Sequence, residues 1–169
     1  MVIRLMFMVL LVVSPIWPLG ENPVPGDPYL VINKDRQEMA FLTEGEVKQV
    51  FPVAIGKVGD ETPEGEFTIL IKAINPYYRK GDIPGGDENN PLGSRWIGFD
   101  AENTNGRIFG IHGTNNPHSI GNAVTAGCIR MRNEDVEVLF EEIPIGMKVL
   151  VVNEKTSFED LGRMHGAIE

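Results

Sequence analysis

The run IFGIHGTNNPHSIGNAVTAGCIRMRN, residues 108–133, holds two of the three histidines and the single cysteine of the chain. Glycines at 110, 113, 121 and 127 mark turns or close backbone approaches. His112 and Cys128 stand 16 positions apart, too far for helix or strand periodicity to join them, so only a returning loop makes them neighbours. A strand over residues 107–111 delivers His112 at its end. The segment Asn133-Glu134-Asp135 then predicts the capped start of a helix running to about Glu142, with Val136, Leu139, Phe140 and Ile143 on one face.

Outward from this run the pattern is that of short strands. Residues 30–32, 38–42 and 47–55 are separated by the turns Asn33-Lys34-Asp35 and Thr43-Glu44-Gly45-Glu46, which predicts an antiparallel meander. Residues 66–74 resume as a strand with Phe67, Ile69 and Ile71 on one face; residues 96–99 and 147–152 supply two more. The expected fold is mostly β, an antiparallel, sandwich-like sheet with one main helix following the cysteine. Residues 75–95 form the longest stretch without periodicity, and loops of this length serve as lids or binding loops as readily as surface decoration. Tyr77 and Tyr78 are its candidates for lining a groove.

The chain of 169 residues has room for one ordinary domain with a real core. Its charge of -9, from 24 acidic and 15 basic residues, argues against a nucleic-acid partner, which selects a basic surface. Residues 1–20, MVIRLMFMVLLVVSPIWPLG, carry one charge before an apolar run and predict an export signal or N-terminal anchor, the only expected membrane attachment. Residues 21–28 predict a Pro-rich linker, residues 29–153 the compact domain, and residues 154–169 a polar tail in which His165 has no evident partner.

A single cysteine in an exported chain has no internal disulfide partner, and the absence of a CxxC pair excludes a thioredoxin-like redox site. A thiol becomes nucleophilic beside an imidazole, fixed positive charge or convergent N–H groups. His112, Arg130 and the backbone around Gly127 and Cys128 offer these together, the last as an oxyanion hole. Acyl transfer by a Cys-His pair is the chemistry these parts fit best. Plainer readings are a buried cysteine acting as a small hydrophobe and a satisfied core histidine. A metal site on His112, His118 and Cys128 matches no usual zinc spacing. Ser94 and Ser119 lack a supporting nucleophile motif, and the pair Glu141-Glu142 suggests solvated helix charge rather than a glycosidase site.

HGTNNPHSIG at 112–121 followed by TAGCIRMRNEDV at 125–136 resembles the catalytic domain of the bacterial L,D-transpeptidases, the YkuD-like family. Further similarity lies in Gly56-Lys57, TPEGEF at 62–67, Asn90-Pro91-Leu92-Gly93 and Trp96-Ile97-Gly98-Phe99. The resemblance implies Cys128 as nucleophile and His112 as its base, oriented by the Gly113 carbonyl rather than by a carboxylate. It implies Arg130 and Thr125 as framework or substrate-binding residues; Asn115 and the two tyrosines are further substrate-contact candidates. Many members carry histidine just before the Gly-Cys pair, where this chain has Ala126, so no second imidazole assists. The implied reaction is exchange on peptidoglycan stem peptides: release of a terminal D-alanine, a cysteine thioester, and transfer to an amine acceptor without a cofactor. Acylation by carbapenems is also implied. Hydrolysis by water, giving a carboxypeptidase, and a wall-binding module without useful catalysis are the alternative expectations.

Overall fold

The computed structural model describes residues 22–169, so the expected leader lies outside the described residues. The meander forms as expected: β1 (Tyr29–Asn33), β2 (Glu38–Thr43) and β3 (Glu46–Pro52) pair antiparallel. They are followed by β4 (Ile55–Gly56), β5 (Gly65–Ile74), β6 (Arg95–Phe99), β7 (Phe109–His112), β8 (Ala123–Thr125), β9 (Ile129–Arg130) and β10 (Lys148–Val152). Eight strands make one sheet in the order β3-β2-β1-β10-β5-β6-β7-β9, while β4 and β8 form a separate pair. Most neighbours are antiparallel, but β1 lies parallel to β10 and β7 parallel to β9.

Strand β1 is buried on both faces, and this divides the core. Leu30 and Ile32 point into the main cluster with Ile97, Phe99, Ile111 and the apolar face of α1 (Asn133–Glu142). Tyr29 and Val31 point the other way, as a two-residue period requires, and need a second cover. The C-terminal segment supplies it, which corrects the expectation of a polar tail. Ser157 Oγ accepts the Asp160 N–H at 3.1 Å and starts α2 (Phe158–Met164), whose Phe158 and Leu161 are buried with Ala167 and Ile168. His165 is also not without partners. Its Nδ1 lies 3.5 Å from Glu66 Oε2, the atom that accepts the Tyr29 hydroxyl at 2.6 Å, and its ring stacks on Tyr29.

Residues 22–28 were expected to act as a spacer, yet they run along the domain. Asn22 Nδ2 donates to the Gly146 carbonyl at 3.1 Å and the Gly26 N–H to Ala167 O at 3.1 Å. The face of α1 is as expected, with Val136, Leu139, Phe140 and Ile143 buried. Its start is not: the N-cap is Arg132, without a side-chain cap, and Asn133 turns its amide toward the loops at the sheet end.

The other end of α1 is closed from outside. Lys72 Nζ, on β5, donates to the Phe140 carbonyl and, at 2.6 Å, to that of Ile143, and lies 4.2 Å from the centre of the Phe140 ring. A cation at a helix C-terminus satisfies carbonyls that lack helical partners. Lys72→Met, which keeps the aliphatic stem, is therefore expected to cost about 1–2 kcal/mol in a denaturant titration. An unchanged midpoint would show that water replaces the ammonium without loss.

Candidate active site

Strand β7 ends on His112, and β9 returns beside it in parallel, with Ile111 opposite Ile129 and His112 opposite Arg130. Side chains opposite each other in register share a face, so Arg130 stands on the side of His112. Cys128 immediately precedes β9 and lies against β7, its Sγ bonded to the Ile108 carbonyl. The intervening loop is held off the sheet by β8, which pairs with β4, so the 16-residue separation closes into one site.

His112 is buried, with 5% of its surface exposed. Its Nδ1 donates to the Gly113 carbonyl at 2.6 Å. A carbonyl can only accept, so the proton sits on Nδ1 and the neutral ring keeps Nε2 as its basic nitrogen. Burial is the main influence on the ring and lowers its pKa to about 4; the Gly113 and Leu92 backbone contacts pull the other way. The imidazole is therefore neutral at pH 7.

Cys128 Sγ donates to the Ile108 carbonyl at 3.3 Å, and among the described residues no hydrogen bond joins it to His112. Burial raises the thiol pKa, against smaller opposing effects from the Gly110 N–H and the charges of Lys80 and Arg130. The resting pair is thus thiol and neutral imidazole, not a preformed thiolate-imidazolium pair, because desolvation penalises both charges. Iodoacetamide labelling of Cys128 is accordingly expected to be slow at pH 7 and to accelerate only as pH rises past the ordinary thiol range. Labelling at pH 6 faster than that of a free thiol would contradict this.

The framework residues have specific partners. Thr125 Oγ1 donates to the Cys128 carbonyl at 2.6 Å, and Gly127 has φ +98, a conformation that favours glycine, with Phe109 3.0 Å from where a Cβ would stand. Among the described residues the N–H groups of Gly127 and Cys128 make no intrachain hydrogen bond. Arg130 Nη1 donates to Ser119 Oγ at 2.9 Å, which donates in turn to Asn116 O at 2.6 Å. Its Nε is buried without a partner, and among the described residues no carboxylate pairs with it. Ser119, considered above only as a nucleophile, is instead the arginine's anchor.

The structure does not bring all the candidates together. Tyr77 is half exposed, its hydroxyl bonded to Asp82, and Tyr78 pairs through its backbone with Ile83, so both knit the 75–95 loop to itself. Asn115 is exposed and lines a cavity of about 220 Å³ with Thr114 and Asn133. His118 is exposed, and among the described residues no group of three histidine, cysteine or acidic side chains converges as a metal site. The long loop also bears on the site electrostatically, since the Leu92 backbone favours the protonated His112 ring and the Lys80 charge favours the Cys128 thiolate, each against the larger effect of burial.

Sequence reasoning missed two residues that organise this region. Trp96 lies opposite His112 on β6 and stacks on its ring, with 5.8 Å between centroids and 16° between planes, while its Nε1 donates to Gly106 O at 2.8 Å. Gly110 leaves the space the indole occupies, since a Cβ there would stand 2.7 Å from it. Asn90 is buried; its Nδ2 donates to the carbonyls of Pro76 and Pro84, and its Oδ1 accepts the Leu92 N–H. The only sequence signal for it was its place in Asn90-Pro91-Leu92-Gly93.

Known proteins share the sequence pattern and the fold of this chain. The profile of the YkuD family, the L,D-transpeptidase catalytic domain, matches residues 27–151. The Bacillus subtilis (strain 168) protein named "Putative L,D-transpeptidase YqjB" is 54% identical over 160 residues, covering 95% of this chain and 91% of that protein. Among solved structures, the Ldtfm-avibactam carbamoyl enzyme superposes with a TM-score of 0.60 at 22% identity, over 76% of this chain and 50% of that one. L,D-transpeptidase LdtMt1 in complex with imipenem gives 0.58 at 21%, over 75% and 59%. The chain spans only about half of those two structures, and at such identity they show a shared fold. The length of the family match and the identity to YqjB settle the membership: the chain belongs to the YkuD family of L,D-transpeptidase catalytic domains.

Proposed function

We propose that the chain is an exported cysteine acyltransferase that exchanges the ends of peptidoglycan stem peptides. The observation that carries this reading is the buried His112, whose Nδ1 proton is committed to Gly113, leaving Nε2 as a neutral base on β7, the strand against which the only thiol lies. In this reaction the Cys128 thiol leaves the Ile108 carbonyl and gives its proton to Nε2 as Sγ attacks the carbonyl of the stem's L-centre diamino acid, meso-diaminopimelate. The oxyanion meets the N–H groups of Gly127 and Cys128. Collapse breaks the peptide bond, and the D-alanine nitrogen leaves with the proton held by His112.

The thioester keeps the activation of that bond, so no cofactor is required. An amine acceptor, giving up its proton to His112, then forms the new amide and frees the thiol. Arg130, with no acidic partner among the described residues, suits a substrate carboxylate. Solved relatives in complex with imipenem and as an avibactam carbamoyl enzyme support acylation of Cys128 by carbapenems and similar reagents. Ala126 contributes no imidazole, so no side chain at that position supports the oxyanion.

The test is product analysis with a disaccharide tetrapeptide. D-alanine release with an amide product when an amine is added supports transfer, whereas release with a tripeptide product regardless of the amine makes the chain a carboxypeptidase. Neither product from a folded chain would overturn the reading and favour a wall-binding module.

A further inference from the structure

The peptide that orients His112 is itself held by a side chain outside the Cys-His pair. Gly113 C=O, which accepts from His112 Nδ1, and the Thr114 N–H are the two ends of one planar trans peptide and point in opposite directions. Asn133 Oδ1 accepts that Thr114 N–H at 3.1 Å and also the Ser94 N–H at 3.1 Å, while its Nδ2 donates to Thr114 O at 3.0 Å. Fixing the N–H end of the peptide fixes where its carbonyl points.

The space around the amide is equally specific. A Cβ on Gly113 would stand 2.1 Å from Asn133 Oδ1, and one on Gly93 2.2 Å from the same atom. Two glycines from two different segments thus open the slot that this one oxygen occupies. Asn133 begins α1, where an asparagine is ordinarily placed to cap the helix, yet its amide leaves the helix uncapped and serves the loops instead.

Resting on the acyl-transfer reading above, we propose that Asn133 is a positioning residue for that reaction, clamping the Gly113-Thr114 peptide so that its carbonyl holds the His112 proton on Nδ1. A peptide bonded at its N–H is also a stronger acceptor at its C=O, since hydrogen bonds in a chain polarise one another. The arrangement runs from the Asn133 amide through one peptide to the imidazole, and gives the histidine an asparagine-backed orientation without direct contact between the two side chains.

The experiment compares the full chain with Asn133→Ala and Asn133→Asp by two readouts. Nitrogen NMR of labelled histidine gives the His112 tautomer, and intact mass against time gives the rate of acylation by imipenem. In Asn133→Ala the proton is expected to distribute between the two ring nitrogens, and saturated acylation to slow on the order of tenfold to a hundredfold. Asn133→Asp, which retains an acceptor oxygen for the Thr114 N–H, is expected to restore the Nδ1 tautomer and most of the rate. Should the alanine variant fail to fold, Asn133→Ser, compatible with a helix start but too short to bridge both loops, carries the same expectation. A folded alanine or serine variant with the wild-type tautomer overturns the proposal, whether its rate is unchanged or reduced. The tautomer needs no substrate, so a wild-type chain that imipenem does not acylate counts against the acyl-transfer reading without deciding the role of Asn133.

Discussion

His112→Gln is expected to slow acylation of Cys128 about a hundredfold to ten-thousandfold, the usual range for loss of a general base. Glutamine is close in size, neutral and able to donate to the Gly113 carbonyl, so the loop need not move. It cannot accept the thiol proton, and the thiol, raised by its own burial, has little thiolate at neutral pH to compensate. The loss is therefore expected in the rate at saturating acyl donor rather than in donor affinity, and to shrink at alkaline pH as the thiolate forms without help.

The same substitution has a separate signature in stability. The folded-state pKa of His112 is lowered to about 4 from 6.5, so an unfolded chain binds a proton that the folded chain refuses. The stability associated with the neutral ring is complete above about pH 6.5 and is lost as pH falls toward 4, a contribution on the order of 3 kcal/mol. Thermal melts between pH 7 and 4 are expected to show a shallower acid decline in His112→Gln than in wild type. Equal acylation rates, or equal acid slopes, would contradict the buried neutral base.

Gly98→Ala is expected to be the most damaging small substitution in the sheet. Gly98 sits in β6 between the buried Ile97 and Phe99, and a Cβ there would stand 1.8 Å from the Gly106 carbonyl oxygen. Backbone has to move, because no flexible side-chain end is available to yield. That carbonyl also accepts from Trp96 Nε1, and Trp96 stacks on His112, so the displacement reaches the His112 ring. Overpacking of this kind costs about 3 kcal/mol or more, which for a domain of this size lowers the melting temperature by roughly 6–12 °C. A drop of less than about 2 °C would mean that the 100–106 turn gives way freely.

The parts of the molecule legible in the sequence were those with a local signal. Alternation and turns announced the β1–β3 meander, the apolar spacing of Val136, Leu139, Phe140 and Ile143 announced α1, and the glycines framing His112 and Cys128 announced the return that joins them. Contacts between distant segments were harder. Residues 30–32 read as a strand of the meander, but burial of β1 on both faces did not show, because its second cover rests on Phe158 and Leu161 in an otherwise polar segment, too few positions to reveal a helix. Trp96 belonged to a strand by pattern, and only the register of β6 with β7 places it on His112. Asn133 carried the local signature of a cap, which tertiary hydrogen bonds override.

The central claim is that Cys128 forms a thioester with a peptidoglycan tetrapeptide. Intact-mass spectrometry of the full chain, incubated with a purified disaccharide tetrapeptide with and without an amine acceptor, tests it most directly, with Cys128→Ala alongside. The account predicts an adduct equal to the donor less D-alanine on the wild-type chain, its discharge when the amine is added, and no adduct on Cys128→Ala. D-alanine release by the Cys128→Ala variant at the wild-type rate would contradict it.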